Sequence, residues 1–449
     1  MPLITKKLDL PIPPSARPAV EVVRRLTKAG HRAFLVGGAV RDMVLNLDPG
    51  DFDVATDASP DRIGKIFPGS NLVGASFGVM MIAIEGTTVE TATFRREGVY
   101  SDGRHPDTVA FTDSPETDSR RRDFTVNALY LDPENMQVMD FVGGLEDCRN
   151  CILRTVGNPT ARFREDGLRL LRAARLSSQC DLVIDPNTLD SISECRERLG
   201  SVAAERIGGE FARLLMGRDP VAGLEMMRRT GLLDLILPEA ANMHGIPQPP
   251  QFHPEGCVWT HTMLMLAEAP PRSLAFRLAV LLHDVGKPAT ISRSDRIRFN
   301  GHAKIGAEMT LAIAERLRFP KNVGADAADL VAQHLRFIDL MQMKPSTLKR
   351  FLRQGNFADH LELHRLDCLA SHGDLSNHEF CQLKLSELAA EELAPPPLLR
   401  GRDLLEMGYR PGPILGHILR DLETAQLEGE LGDRAAAVVW VRRNFAVPE

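Results

Sequence analysis

The chain has 449 residues, 43% of them hydrophobic, and a formal net charge of −6. That length predicts roughly two to four domains with ordinary globular cores. The acidic balance excludes a surface coated in base for indiscriminate nucleic-acid binding, while leaving room for a local basic track.

No apolar run approaches the roughly 18 residues needed to cross a bilayer. The start, Met1-Pro2-Leu3-Ile4-Thr5-Lys6-Lys7, lacks the apolar segment of a secretory signal, and Asp9 argues against a transit peptide. Seven scattered cysteines fit reduced thiols in a cytoplasm. Cys148 and Cys151 form a lone Cys-x-x-Cys and are read as coincidental.

Residues 20–30 carry an amphipathic helical pattern. Ala33-Phe34-Leu35-Val36 reads as a buried strand ending in Gly37-Gly38 and a helix start. A glycine pair there lets backbone N–H groups approach and hold phosphates. Arg41, one turn in, adds bidentate charge-assisted bonds. Asp51-Phe52-Asp53 follows. Alternate strand residues share a face, so two carboxylates stand side by side. They repel unless a cation sits between them. Mg²⁺ takes oxygen ligands and keeps positions for substrate phosphates. Carboxylates of this kind beside a phosphate cradle suggest phosphoryl or nucleotidyl transfer.

Residues 79–84 and 88–94 are β-rich runs around Glu85-Gly86-Thr87 and read as a hairpin. Residues 98–107, rich in Gly, Asp, Arg and Pro, read as a mobile loop. Residues 109–111 form a further strand, and 124–131 a helix or strand against the same sheet. Arg120-Arg121-Arg122 and the series Arg162, Arg164, Arg169, Arg172 and Arg175 concentrate positive charge near the carboxylates. From Pro159 the apolar spacing turns helical. Pro247-Gln248-Pro249-Pro250 reads as a linker. A helical unit rich in His and Asp then runs to about residue 390, and Pro395-Pro396-Pro397 precedes a tail. The expected fold is α+β. A head with a small mixed sheet (1–157) is followed by a helical neck (158–246), a His-rich domain (251–390) and a helical tail (398–449).

Several motifs stand in a fixed order. After Gly37-Gly38-Ala39-Val40-Arg41-Asp42 and Asp51-Phe52-Asp53 come Thr93-Phe94-Arg95 and Arg121-Arg122-Asp123-Phe124-Thr125-Val126-Asn127-Ala128. Gly143-Gly144-x-x-Asp147, Glu165-Asp166-Gly167-Leu168-Arg169 and Glu205-Arg206-Ile207 follow. The series resembles the class II tRNA nucleotidyltransferase and bacterial poly(A) polymerase family. The resemblance implies a polymerase-β-like head that extends an RNA 3′ end without a nucleic-acid template. It implies catalytic Mg²⁺ on Asp51 and Asp53, with Glu90 as a third carboxylate. Gly37, Gly38 and Arg41 would hold the triphosphate. Arg122 and Asp123 would recognise the ribose, with Asn127 in the same nucleotide-binding motif.

Asp166 and Arg169, at i and i+3, are expected on one helix face. The carboxylate accepts and the guanidinium donates. Cytosine and adenine each offer an exocyclic amine beside a ring acceptor, so one pair serves both. Uracil and guanine reverse the pattern. The resemblance supports this pair as a protein template for C and A.

Leu281-Leu282-His283-Asp284-Val285-Gly286-Lys287-Pro288 resembles the HD metal-dependent phosphohydrolase superfamily. The resemblance implies a divalent transition metal on His261, His283, Asp284 and Asp367, with His302 and His334 as further ligands. It admits phosphohydrolase activity and equally an inert RNA-binding scaffold. The tail, including Gly401-Arg402-Asp403-Leu404, either contacts the body of tRNA or packs.

The leading expectation is a cytoplasmic, non-membrane enzyme that builds or repairs the 3′ CCA of tRNA from CTP and ATP, releasing pyrophosphate. Partial CC or A addition is one rival, weakened by the 98–107 loop. Poly(A) polymerase is another, weakened by Gly74-Ala75-Ser76-Phe77-Gly78, where that branch carries a Gly-Arg-Arg-Phe-like element, and by the acidic balance. An HD phosphohydrolase with an RNA-binding head, and a noncatalytic RNA-binding protein, complete the alternatives.

Overall fold

The computed structural model describes residues 3–446 except 10, 74–77, 99, 101–105, 294–295 and 389–392. The chain divides into two compact units, Met1–Ala241 with Ile313–Pro320, and Asn242–Ala312 with Lys321–Glu449.

In the first unit, α1 (Arg17–Lys28) leads into strand β2 (Ala33–Val36), after β1 (Ile4–Lys7) at the start of the chain. Helix α2 (Gly38–Val44) follows, then β3 (Asp53–Thr56), β4 (Asn71–Leu72), β5 (Val79–Ile84) and β6 (Thr87–Thr93). β7 (Arg95–Glu97) and β8 (Val109–Phe111) pair as a separate ribbon, and β9 (Leu129–Asp132) and β10 (Gln137–Asp140) complete the set. The main sheet runs β1-β10-β9-β2-β3-β6-β5-β4. It is mixed: β2 is antiparallel to β3, and β3 is parallel to β6. The β5–β6 hairpin turns on Glu85 (φ 50) and Gly86 (φ 77). Two positive φ values make the primed turn that matches strand twist. Residues 124–131 divide into a 3-10 turn (Thr125–Asn127) and the start of β9. The loop expected at 98–107 and the element at 74–78 fall largely outside the described residues.

Val36, Ala55, Phe94 and Tyr130 form a buried cluster under the sheet, joined by Phe34 and Phe141. Edge contacts between these rings, at 6.0–6.3 Å, orient them. The Tyr130 hydroxyl donates to Asp118 at 2.6 Å. Asp118 also meets Arg121 (2.8 Å), Arg122 (3.3 Å) and the backbone N–H of Arg95 (3.1 Å). Burial pushes this carboxyl up, but Arg121 and Arg122 outweigh it and hold it at about 2. The associated stability is present above the ordinary value of 3.8 and is lost as pH falls toward 2. Asp118→Asn is therefore expected to cost roughly 2 kcal/mol at pH 7 and to flatten the acid limb of stability. Urea unfolding across pH 2 to 7 checks this, and an unchanged midpoint would contradict it.

Helices α3 (Pro159–Glu165) and α4 (Leu168–Cys180) follow, with α5 (Ala204–Leu215) packed on α4. The arginines of α4 are not a solvated face. Glu210, 2% exposed, takes Arg175 at 2.6 Å and Arg213 at 3.2 Å.

The second unit is helical apart from a short hairpin, Ile291–Arg293 with Ile297–Phe299. Among its helices are α6 (Val258–Glu268), α7 (Leu274–Leu282), α8 (His302–Arg316, whose residues from Ile313 on belong to the first unit), α9 (Lys321–Gln333) and α10 (Phe357–Ala370). Nearly every residue of α7 is buried, as an all-round apolar helix requires. The segment 247–250 is packed rather than a free linker: Gln248 is 3% exposed and Pro247 pairs with Cys257. The tail has its own small core around Leu404, Tyr409, Ile418 and Leu422. All seven cysteines are free. Among the described residues no helix is long and apolar enough to cross a membrane.

Candidate active site and metal centre

The sheet brings the head carboxylates together. Val36, the last residue of β2, pairs with Asp53. The parallel register Val54↔Thr91 then sets Asp53 beside Glu90. Asp51 precedes the strand rather than lying in it, and is exposed. Asp51, Asp53 and Glu90 nevertheless line one cavity of about 340 Å³. Burial first, then Glu90 and Asp51, raise Asp53 to about 6, against the pull of Arg122. Three hard oxygen donors in mutual repulsion are the donor set a divalent cation satisfies.

The glycine turn lies against this group. Gly37 has φ 77, which an L side chain resists. A Cβ on Gly37 would come 3.7 Å from Arg122 Nη1 and 3.9 Å from Asp53 Oδ2. Arg122 is anchored from behind by Tyr130 (3.2 Å) and Asp118 (3.3 Å).

Two head residues sit differently from expectation. Arg41 is buried, with Nε and Nη2 on Asp42 Oδ1 (2.9 and 2.7 Å) and Nη1 on Asn127 Oδ1 (2.7 Å). Its guanidinium braces the turn, and it does not line the cavity. Asp123 accepts from Phe124 N (2.8 Å), Asn127 Nδ2 (3.2 Å) and Arg172 Nε (2.7 Å). Burial raises this carboxyl, but Arg172 and Arg169 hold it well below the usual range. With its oxygens so engaged, Asp123 is not a free acceptor for a ribose hydroxyl. Asn127 is the bridge that joins Arg41 to Asp123.

The base-reading pair also departs from the helix-face expectation. Asp166 is extended (φ −143, ψ 111), in the break between α3 and α4. A Cβ on the following Gly167 would strike Arg198 O at 2.5 Å, so the break rests on close backbone approach. Asp166 caps the new helix by accepting from Leu168 N at 3.0 Å. Its other partner is Arg206, at 2.8 and 3.4 Å. Arg169 donates instead to Glu165 (2.5 Å) and to Arg162 O (3.0 Å). Asp166 and Arg169 are thus neighbours across a helix start, each held by another residue.

In the second unit the HD residues converge. His261, His283 and Asp367 form one candidate ligand trio, and Asp284, His302 and His334 another. His261 Nε2 lies 3.1 Å from Asp367, and His302 Nε2 lies 3.3 Å from Asp284. The Nδ1 atoms of His283, His302 and His334 bond Val280 O (2.9 Å), Phe299 O (2.7 Å) and Val331 O (2.6 Å). A carbonyl only accepts, so each Nδ1 carries the proton and each Nε2 a lone pair. Nε2 of His302 and Nε2 of His334 face each other at 3.3 Å. Two opposed lone pairs repel, and a cation between them relieves this. Burial first, then the nearby His283 ring, push His334 down to about 4. Burial pulls His261 down, yet Asp367 and Glu255 carry it up to about 9. Lys287 Nζ donates to Gln248 Oε1 and lies 2.6 Å from Asp284 Oδ2. An adjoining cavity of about 750 Å³ is lined by Phe252, Lys287, Arg296, Phe299 and Ile338 among others. The sequence reading missed Glu255, His253 and Gln248, which reach this cluster from the proline-rich segment.

Family models match three stretches: the Poly A polymerase head domain over residues 33–154, the "Probable RNA and SrmB- binding site of polymerase A" over 181–243, and the HD domain over 253–363. A CCA-adding enzyme of Limosilactobacillus reuteri (strain DSM 20016) is 34% identical over 436 residues, spanning 95% of this chain and 96% of that protein. The chain belongs to the CCA-adding enzyme family. A family member from Bacillus licheniformis is 44% identical over 214 residues, 48% of this chain and 54% of its own length. The solved CCA-adding enzyme of Bacillus stearothermophilus in complex with CTP superposes with a TM-score of 0.72 at 25% identity, covering 96% of this chain and 98% of its own. The α+β architecture with its head sheet is therefore that of the CCA-adding family.

Proposed function

We propose that this chain completes or repairs the 3′-terminal CCA of tRNA from CTP and ATP. The carrying observation is the meeting of Asp51, Asp53 and Glu90 in one cavity beside the Gly37 turn. The RNA 3′-hydroxyl loses its proton to water, its oxygen forms a bond to the α-phosphorus, the bond from that phosphorus to the oxygen bridging to the β-phosphate breaks, and pyrophosphate leaves. Asp51, Asp53 and Glu90 would hold Mg²⁺, which would supply Lewis acidity. The chain's own residues position and enclose. Gly37 and Gly38 admit phosphates close to backbone, braced by Arg41 through Asp42 and Asn127. Arg122 adds positive charge next to Asp53. Asp166 accepts the exocyclic amine of cytosine or adenine, and Arg169 donates to the neighbouring ring acceptor. Each exchanges its present partner, Arg206 or Glu165, for the base. The free thiols and a tRNA substrate fit a cytoplasmic setting.

Purified protein with Mg²⁺ and tRNA transcripts ending before CCA, after C and after CC tests this, each given CTP, ATP or both. The expected product of the shortest transcript is complete CCA. Arrest after CC, A addition to the CC-ended transcript alone, or long A tails would each replace this reading with one of its rivals.

The facing histidine lone pairs favour a second reading for the other unit, a divalent-metal phosphohydrolase centre. Co²⁺ or Mn²⁺ is expected to raise Tm by about 3 °C or more at saturating concentration, and His302→Ala to abolish part of that gain. Hydrolysis of RNA-end or cyclic phosphates with metal, and none with a chelator, is the accompanying activity. A Tm indifferent to both metals would remove this reading.

A further inference from the structure

The segment from Ile246 to Cys257 closes on itself and sends Gln248, His253 and Glu255 toward the HD cluster. Val258 N donates to Ile246 O (3.0 Å) and Gln248 N to Gly256 O (3.3 Å), tying its ends together. Glu255, with a side chain 6% exposed, is its deepest charged group. Glu255 Oε1 lies 2.7 Å from His261 Nδ1 and 2.8 Å from His253 Nδ1. The His253 ring stands edge-on to that of His261 at 5.0 Å. Glu255 Oε2 is buried with no hydrogen-bond partner. The carboxylate charge therefore faces the two imidazoles.

This sets His261 apart from the other histidines of the cluster. His283, His302 and His334 are each held at Nδ1 by a neutral carbonyl three residues earlier. His261 Nδ1 instead faces an anion at ion-pair distance. A carboxylate behind a ligating imidazole fixes its tautomer and raises its basicity at the opposite nitrogen, and losing such a partner typically costs 10–100-fold in metal affinity. The opposite nitrogen of His261 is the one that faces Asp367. The second trio has no such anion behind its imidazoles, since the Nδ1 atoms of His302 and His334 both meet carbonyls.

Resting on the reading of this cluster as a metal centre, we propose that Glu255 is a positioning residue for His261. It makes the trio His261, His283 and Asp367 take a divalent cation before the trio Asp284, His302 and His334. The centre is thus graded, one tight position and one weaker one, rather than two equal positions.

The test is a Co²⁺ titration of the full chain by calorimetry and visible absorption, with Tm recorded for every variant. The parent is expected to bind in two steps. Glu255→Ala should weaken the first step by about 10–100-fold while the second stays in place. Glu255→Gln keeps an oxygen for the Nδ1–H but not the charge, so it should weaken the first step by a smaller factor. It also conserves volume and carries the test where Glu255→Ala melts early. His302→Ala should delete the second step only. Nucleotide addition by the head serves as the control and should not change in the Glu255 variants. Two steps weakened equally, or a first step unchanged in both Glu255 variants, would overturn the proposal while leaving the metal centre standing. No Co²⁺ uptake by the parent would overturn the metal centre, and this inference with it.

Discussion

Asp53→Ala is expected to lower nucleotide addition by about 10³-fold or more, equivalent to about 4 kcal/mol of barrier. The size of the loss follows from the position of Asp53 in the sheet. It lies between Val36, which leads into the Gly37 turn, and Glu90 on the parallel strand. No other carboxylate of the group touches both features. Asp53→Asn sharpens the experiment, because it keeps the volume and removes only the charge. Without divalent cation this variant should melt no lower than the parent, since one of three mutually repelling carboxylates is gone. With Mg²⁺ the parent should gain stability that the variant does not. Single-turnover extension of a CC-ended transcript with ATP measures the first effect, and calorimetric melting measures the second. Binding of tRNA should persist. Addition at a tenth of the parental rate or better would remove Asp53 from the cation site.

The second large effect concerns choice of base. Arg169→Ala is expected to reduce discrimination of CTP over UTP by about 10²-fold, with a smaller drop in the rate with CTP itself. On the proposed reading, discrimination comes from polar groups that a wrong base leaves unpaired, and such penalties run to several kcal/mol when water is excluded. Asp166→Ala should act in the same direction through the exocyclic amine. Arg206 gives an internal comparison. It touches Asp166 at 2.8 Å and reaches the base only through it. Arg206→Ala should therefore blur selection less than Asp166→Ala, and should raise KM for CTP more than it lowers kcat. The ratio of kcat/KM for CTP and UTP reports each variant. A ratio unmoved in Arg169→Ala would refute the protein-template assignment.

Much of the head was legible in the sequence because its signals are local. Alternating burial marks β5 and β6, Glu85-Gly86 marks their turn, and Gly37 marks a backbone position with positive φ. The aspartates of Asp51-Phe52-Asp53 were legible as a pair for the same reason, although the strand itself begins only at Asp53. What escaped was non-local. Asp166 and Arg169 obey helical spacing, yet the chain breaks at Gly167 because Arg198 passes close by, and no local pattern carries that approach. Arg41 and Asp123 have the residue types of ligand contacts, but their partners, Asn127 and Arg172, come from other elements. The proline-rich segment 247–250 has the composition of a linker, and only the fold buries Gln248 against Lys287. Glu255 gave no signal, because a single glutamate near a proline cluster resembles any surface charge until His261 folds over it.

The carbonyl clips on His283, His302 and His334 have a bearing on how this chain tolerates genetic drift. A main-chain oxygen is supplied by any amino acid. Codons for Val280, Phe299 and Val331 can therefore change without releasing the rings, so long as the helix and hairpin persist. His261 enjoys no such insurance, since its anchor is one side chain. Random mutation should erode the cluster unevenly. Descendants that lose function in this unit should show changes at position 255 more often than at the three clip positions.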